Sequence, residues 1–496
     1  MTGAWSLMYK NVFRPMILQV NHMRKGRGEL ISSVISRLLA LAEDGKVDPN
    51  ILPYLHVQLD WVQYKANFRE PVMVRKSTRN GEPSPLVEIA IDLRQVDPDN
   101  LTETLEIAME EAAPDGKTPA RVFLGEFGPM RSSIIWKFNR LYWQHLLEWE
   151  RQSGKGYEEA LPSGSSDGHN SEVIRDQVAE FYDLVREMDA ERQLPPELYV
   201  MEIGVGNGSR ALQWLSLFQA MDRERGTNYY PAVRYMLCDY SMVSLERALD
   251  NLGPHRDAGR PFEVNALDPF ASLGEFRYKV LYIHLTNVYD NLPTDDAVLR
   301  DGRIYFVEVR PYLDARDVAR ICAEYNVDPA SFTETVQHLL EVGPNVMVDH
   351  DSGMGFWMAV WRKMRLEERL VTVDSLSEAS LPSGLKPSHL EELVTSGPGT
   401  VRFQLSSGAV GSFSSTIQLL HPRGYLQVMD IFVTELTHYR GGFKGPGKLD
   451  GSVVNWVNGA LLAEVGKQSG YDVHFVPFKY RKGSRTSILY TTHREK

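Results

Sequence analysis

The sequence predicts an α/β fold, in which five alternating strand–helix units form one sheet that a C-terminal β-hairpin closes. Three observations predict it. An apolar strand, Tyr199–Ile203, runs into a tight Gly204-x-Gly206-x-Gly208 turn and then a helical run beginning Ala-Leu-Gln-Trp-Leu. A second strand, Val233–Asp239, again ends in an acid. Two strand patterns, Tyr471–Phe478 and Thr486–Thr492, flank Lys482-Gly-Ser-Arg near the end of the chain and read as a hairpin.

Composition bounds the rest. At 496 residues the chain can bury a large core and divide into more than one domain. A formal net charge of -11, with 24% charged and 43% hydrophobic residues, describes a mildly acidic globular protein and argues against nucleic acid as a partner. Two cysteines, Cys238 and Cys322, suit a reducing compartment and cannot build a zinc-binding cysteine cluster, so a cytoplasmic protein without a metal is expected. No apolar run reaches the ~18 residues that span a bilayer. The basic start of the chain (Lys10, Arg14, Arg24, Lys25 and Arg27, with no acid before residue 28) faintly resembles a targeting segment. Its bulky residues and scarce serines read as folded protein.

Taken in order, residues 28 to 43 give a helix with a broad apolar face from Leu30 to Leu41. Strands are expected at 55–62 and 87–93, a helix at 99–113, a strand at 120–124 and a polar loop at 75–85. Residues 1–150 thus form an N-terminal α/β accessory domain. Its last helix, 132–150, carries Trp136, Phe138, Tyr142, Trp143 and Trp149, a stripe suited to a core or a substrate wall. The Ser/Gly-rich stretch 151–170 reads as a linker. The sheet domain then occupies 171–300 and 411–496. An insertion at 301–410, between strands four and five, reads as a lid or substrate-selecting subdomain.

The chemistry gathers at the carboxyl ends of the strands, where ligands sit in open α/β sheets. Glycines at 204, 206 and 208 allow positive φ and a close approach of a ligand to bare backbone. The following helix start offers free N–H groups to an anion. Asp239 is placed either to accept hydrogen bonds from ribose hydroxyls or to cap the next helix, with Tyr240 beside it. Asn265 and Ala266, at the tip of strand three, stand where a base edge would lie, and Asp268 could reach there or cap a turn. Asn287, Tyr289 and Asp290 follow strand four, where a second substrate would approach. His284, inside an apolar strand, reads as a core histidine.

Glu202 before Gly-x-Gly-x-Gly, together with the closing hairpin, resembles the class I S-adenosylmethionine-dependent methyltransferases: a Rossmann-like seven-stranded sheet whose last strand is antiparallel. Within that superfamily the chain is similar to the MidA family, which includes the mitochondrial complex I assembly arginine methyltransferase. Glu202-Ile-Gly-Val-Gly-Asn-Gly, Val288-Tyr-Asp-Asn-Leu-Pro293 and Gly-Pro-Gly-Lys-Leu-Asp-Gly-Ser-Val-Val-Asn-Trp456 carry the likeness. Asn287 stands where that family carries a glutamate, so the likeness extends to the cofactor and not to the acceptor.

The resemblance implies S-adenosyl-L-methionine as cofactor. Glu202 would orient the loop and reach the cofactor's amino group, with Gly204, Gly206 and Gly208 against its methionine part. Asp239 would take the ribose and Asn265 the adenine. Asn287, Tyr289 and Asp290 are the nearest candidates for aligning or deprotonating an acceptor. The leading expectation is methyl transfer to a protein side chain, arginine among them. Two alternatives stay open: a small-molecule O-, N- or C-methyltransferase with an enclosed pocket lined by 130–150 and 350–361, and a non-catalytic assembly factor that keeps the fold. Residues 1–150 read as a substrate domain or a dimerisation arm, so a homodimer stays open.

Overall fold

The computed structural model describes residues 17–20, 28–46, 55–60, 66–68, 72–79, 82–92, 101–112, 120–161, 166–300, 303–372, 381, 384–389, 401–441 and 445–494. Two compact units divide the chain: residues 1–122 with 312–320 and 363–366, and all the remainder from 123 onward. Apart from residues 17–20, the targeting-like start of the chain lies outside the described residues, as do most of 375–400. Among the described residues no helix is long and apolar enough to cross a membrane.

The smaller unit holds a four-stranded sheet in the order Ile17–Val20, Leu55–Asp60, Glu82–Asp92, Val72–Arg79. Its first two pairings are parallel and the last is antiparallel. Helices Gly28–Glu43 and Leu101–Ala112 bury Val34, Leu38, Leu41, Leu101, Leu105 and Met109. The polar loop expected at 75–85 is corrected: Thr78 pairs with Pro83 and Arg79 with Glu82, so most of that stretch lies in a hairpin. The Asn80-Gly81 dipeptide between the paired strands is a hairpin-turn signal that the Pro and polar content obscures.

The larger unit begins with helices α1 (Ile134–Gln144) and α2 (Leu146–Ser153), followed by the long α3 (Ser171–Ala190). Its sheet comprises β1 (Leu198–Ile203), β2 (Val233–Asp239), β3 (Gly259–Glu263), β4 (Val280–Thr286), β5 (Leu420–Asp430), β6 (Tyr471–Pro477) and β7 (Ser487–His493). The spatial order is β3-β2-β1-β4-β5-β7-β6. The pairings from β3 through β5 are parallel, and β7 runs antiparallel to both neighbours. This is the seven-stranded α/β sheet with a closing hairpin that the sequence predicts.

Successive residues on the central strands are apolar because both faces are covered. On one face Val200, Tyr235 and Tyr282 pack with Val178 and Phe181 of α3 and with Trp214 and Phe218 of α4 (Ser209–Glu224). On the other face Met201, Ile283 and Leu426 pack with Val410 and Phe413 of a helix at Ser407–Thr416. Alternate residues thus serve two cores, with a switch in strand order between β1 and β4 where the chain leaves opposite edges.

The expected boundary at 151–170 gives way to an earlier one, and the aromatic helix belongs to the larger unit. Residues of that stretch are tied down: Asp167 accepts hydrogen bonds from Ser484 and Thr486 and pairs with Arg481. The insertion contributes Arg365–Thr372, Arg303–Asp314 and Val401–Gln404 to a further sheet, in which the preceding Asp296–Arg300 pairs antiparallel with Arg303–Asp314 and with Val401–Gln404. The unit division assigns 312–320 and 363–366 within it to the smaller unit.

Candidate active site at the strand tips

The glycine turn is shaped by backbone. Gly204, Gly206 and Gly208 have φ of 77°, 55° and 76°, values that side chains rarely adopt. The N–H of Gly204 donates to the Cys238 carbonyl at 2.8 Å, which fastens the turn to β2. A Cβ on Gly208 would lie 2.8 Å from the Ala248 Cα, in the helix α5 (Met242–Asn251). A Cβ on Gly206 would meet nothing within 4 Å. Gly208 is therefore needed for packing, whereas Gly206 presents bare backbone to open space.

Asp239 faces this turn. Its Oδ2 accepts from the Gly206 N–H at 3.3 Å, and its Oδ1 accepts from the Ser241 N–H at 3.1 Å. Burial lifts the carboxyl above its usual range, against the pull of these N–H donors. Capping of α5 falls to Ser241, whose hydroxyl accepts from the Ser244 N–H. Asp239 is thus left at the mouth of the turn. The Tyr240 hydroxyl donates to the Arg140 carbonyl at 3.0 Å and links the tip of β2 to α1.

Other expected cofactor residues are engaged differently. Glu202 is 5% exposed, accepts from the Tyr235 hydroxyl at 2.6 Å and pairs with Arg210 at 3.4 Å. Its carboxylate is committed to a buried pair under the turn. Asn265 forms an Asx turn with the Leu267 N–H and Ala266 lies beside it, half-buried. Asp268 caps the short helix Pro269–Leu273 and accepts from Ser415, so of the two readings the cap is the one observed.

Beyond β4 the chain turns sharply. Asn287 adopts a φ of 52°, uncommon for a side-chain-bearing residue, with its N–H donating to the Met429 carbonyl. Tyr289 is 1% exposed in the main core. The ring points inward between strand and helix, so a place at the reacting centre is corrected. Asp290 is buried with Asp430, the last residue of β5. Asp430 accepts from the N–H groups of Ile431 (2.8 Å), Tyr289 (2.9 Å) and Asp290 (3.2 Å). Burial and the neighbouring carboxylate raise Asp290 well above the usual range, and burial raises Asp430 to about 7. The backbone donors oppose that rise at Asp430, as the Asn291 amide does at Asp290.

Several contributors escape a reading of spacing alone. Asn455 donates to the Asp290 carbonyl from both its backbone N–H (2.9 Å) and its side chain (2.7 Å). Asn139 of α1 donates to the Asn291 carbonyl at 2.8 Å. The stretch from Gly445 to Trp456 thus serves partly, through Asn455, as a brace for the loop after β4. Asp430 had a signal: like Asp239, it is an acid closing an apolar strand.

The aromatic stripe of α1 and α2 packs ring on ring. Trp149 lies 4.8 Å from Trp357 and Phe138 5.7 Å from Trp361, between centroids. Residues 132–150 and 350–361 fill each other's surfaces. His284 is fully buried, held by Tyr282 (3.1 Å) and Thr286 (2.7 Å), and burial with the Arg210 charge keeps it neutral. Among the described residues no cluster of three or more His, Cys, Asp or Glu side chains could hold a metal ion.

No family model and no curated relative matches this chain. Among solved structures it is similar to a COG1565 superfamily member from Burkholderia thailandensis bound to S-adenosyl-homocysteine, at 13% identity over 74% of this chain and 88% of that one, with a TM-score of 0.42. It is also similar to the CMeT domain of the citrinin polyketide synthase, at 9% identity over 94% and 79% of the two chains and a TM-score of 0.28. A third is the Burkholderia thailandensis 1,6-didemethyltoxoflavin-N1-methyltransferase, at 7% identity over 76% and 99%, with a TM-score of 0.31. At such scores the functional case rests on this chain's own strand order and residues.

Proposed function

We propose that the chain is an S-adenosylmethionine-dependent methyltransferase that acts on a side chain of a protein partner, arginine among the candidates. The observation that carries this reading is the glycine turn between β1 and α4: three positive-φ glycines, open space over Gly206, and Asp239 bonded to the Gly206 N–H, on a sheet ordered β3-β2-β1-β4-β5-β7-β6. Bare backbone over Gly206 and an adjacent acid suit the amino-acid and ribose parts of such a cofactor. When bound, the cofactor supplies an electrophilic methyl group on sulfur.

The chain's own part is to position and to manage a proton. Asp290 and Asp430 form a buried pair whose carboxyls both hold protons above the usual aspartate range, and three N–H groups donate to Asp430. Such a pair suits exchange of one proton with an acceptor nitrogen or oxygen at the tips of β4 and β5. Packing of the 132–150 and 350–361 rings against each other supports a protein acceptor over a small molecule enclosed by those segments. Photolabelling with methyl-tritiated S-adenosylmethionine tests the reading. Label that excess S-adenosylhomocysteine removes is expected; label insensitive to that competitor would sink the proposal.

A further inference from the structure

Arg210 is the second residue of α4, two positions past Gly208, and only 3% of it is exposed. Its Nη2 donates to Gln177 of α3 at 2.7 Å and to the Tyr282 hydroxyl of β4 at 3.2 Å. Its Nη1 donates to the Tyr235 hydroxyl of β2 at 3.1 Å and lies 3.4 Å from the Glu202 carboxylate at the end of β1. One guanidinium thus ties the first turn of α4 to three adjacent strands. The path continues: Tyr282 meets His284 at 3.1 Å, and His284 meets Thr286 at 2.7 Å, one residue before the left-handed Asn287. A buried ion pair is poor evidence for stability, since desolvation offsets most of the attraction. What it does supply is a fixed geometry.

We propose that Arg210 is a positioning residue: with Glu202, Tyr282 and His284 it sets the glycine turn and the β4 tip in register with each other, so that the two sides of the cleft are pre-shaped together. This rests on the cofactor reading above and extends it to residues that touch no ligand. Rotation of α4 about its axis would swing the Gly204–Gly208 N–H groups away from the cleft, and the four donor contacts of Arg210 oppose that rotation. The same contacts hold Tyr282 and His284, and through them Thr286, so a change at one tip is felt at the other.

The test uses the full chain. Arg210→Met leaves Glu202 buried without its cation and risks unfolding, so the Glu202→Gln/Arg210→Met double variant and Tyr282→Phe carry the comparison. Tyr490→Phe is the control. It removes a hydroxyl from Glu180 at the outer edge of the same polar network, away from the turn. Two readouts are taken well below each variant's melting temperature: the calorimetric Kd for S-adenosylhomocysteine, and amide hydrogen exchange of residues 204–209 and 285–288. The double variant is expected to weaken binding about tenfold and Tyr282→Phe about threefold. Exchange should speed up in both segments together, with Tyr490→Phe unchanged in both readouts. A merely structural role would lower melting temperature in all three variants and leave Kd and segment exchange alike; that result overturns the proposal. If the wild type binds no S-adenosylhomocysteine, the cofactor reading fails, and the exchange data still decide whether Arg210 couples the two segments.

Discussion

At the β2 tip the candidate site is made of backbone: three glycines, a carbonyl from Cys238 and N–H groups that one carboxylate, Asp239, gathers. On the β4–β5 side it is made of side chains from distant parts of the chain, with Asp290 and Asp430 buried together and Asn139 and Asn455 bracing the loop. The first kind of site is specified within some forty residues and tolerates little change at each glycine. The second exists only once the sheet has assembled, because its parts lie up to 316 positions apart. The difference teaches where sensitivity lies: shape on one side, charge on the other.

The largest expected effect is on the charged side. Asp430→Ala removes the acceptor of three buried N–H groups and should cost roughly 3–5 kcal/mol in urea unfolding. A loss under about 1 kcal/mol would show that these N–H groups find other partners.

Next comes the contrast between glycines. Gly208→Ala forces a Cβ to 2.8 Å from the Ala248 backbone at positive φ, and should lower stability by roughly 2–4 kcal/mol. Gly206→Ala meets no neighbour, so it should cost about 1 kcal/mol and instead weaken binding of S-adenosylhomocysteine. Equal stability losses would break the division between packing and ligand-facing glycines.

The carboxyl pair adds a pH signature. Both groups hold their protons more tightly in the folded state than an unfolded aspartate near ~3.9 does. Their stabilising contribution is therefore complete below about pH 4; that of Asp430 is lost as pH rises through about 7, and that of Asp290 as pH rises well above the usual carboxylate range. Asp290→Asn should flatten the decline of unfolding free energy between pH 5 and 8 by on the order of 1–3 kcal/mol. An unchanged slope would separate the two carboxyls.

Legibility followed the same division. Strands β1, β2, β4 and β5, the terminal hairpin and the glycine turn are local patterns of apolar runs and punctuation, and they stand in the sequence within a few residues. The pairing of Asp290 with Asp430 is not local, and Glu202, though close to Arg210 in sequence, meets it only once the strand and the helix after the turn pack together, so spacing could not assign either. Tyr289 reads like a site residue because it precedes Asp290, yet its ring fills the core. Asp268 and Ser241 show the converse: acid and hydroxyl at helix starts serve as caps, the more ordinary of their two roles.

On the proposed function, the turn under Asp239 binds the methyl-donor cofactor. Isothermal titration of the full chain with S-adenosylmethionine and S-adenosylhomocysteine, beside Asp239→Ala, tests it most directly. Micromolar binding of both ligands by the wild type is expected, with at least tenfold weaker binding by a variant that stays folded. Absence of binding to the folded wild type, or equal affinity in Asp239→Ala, would contradict it.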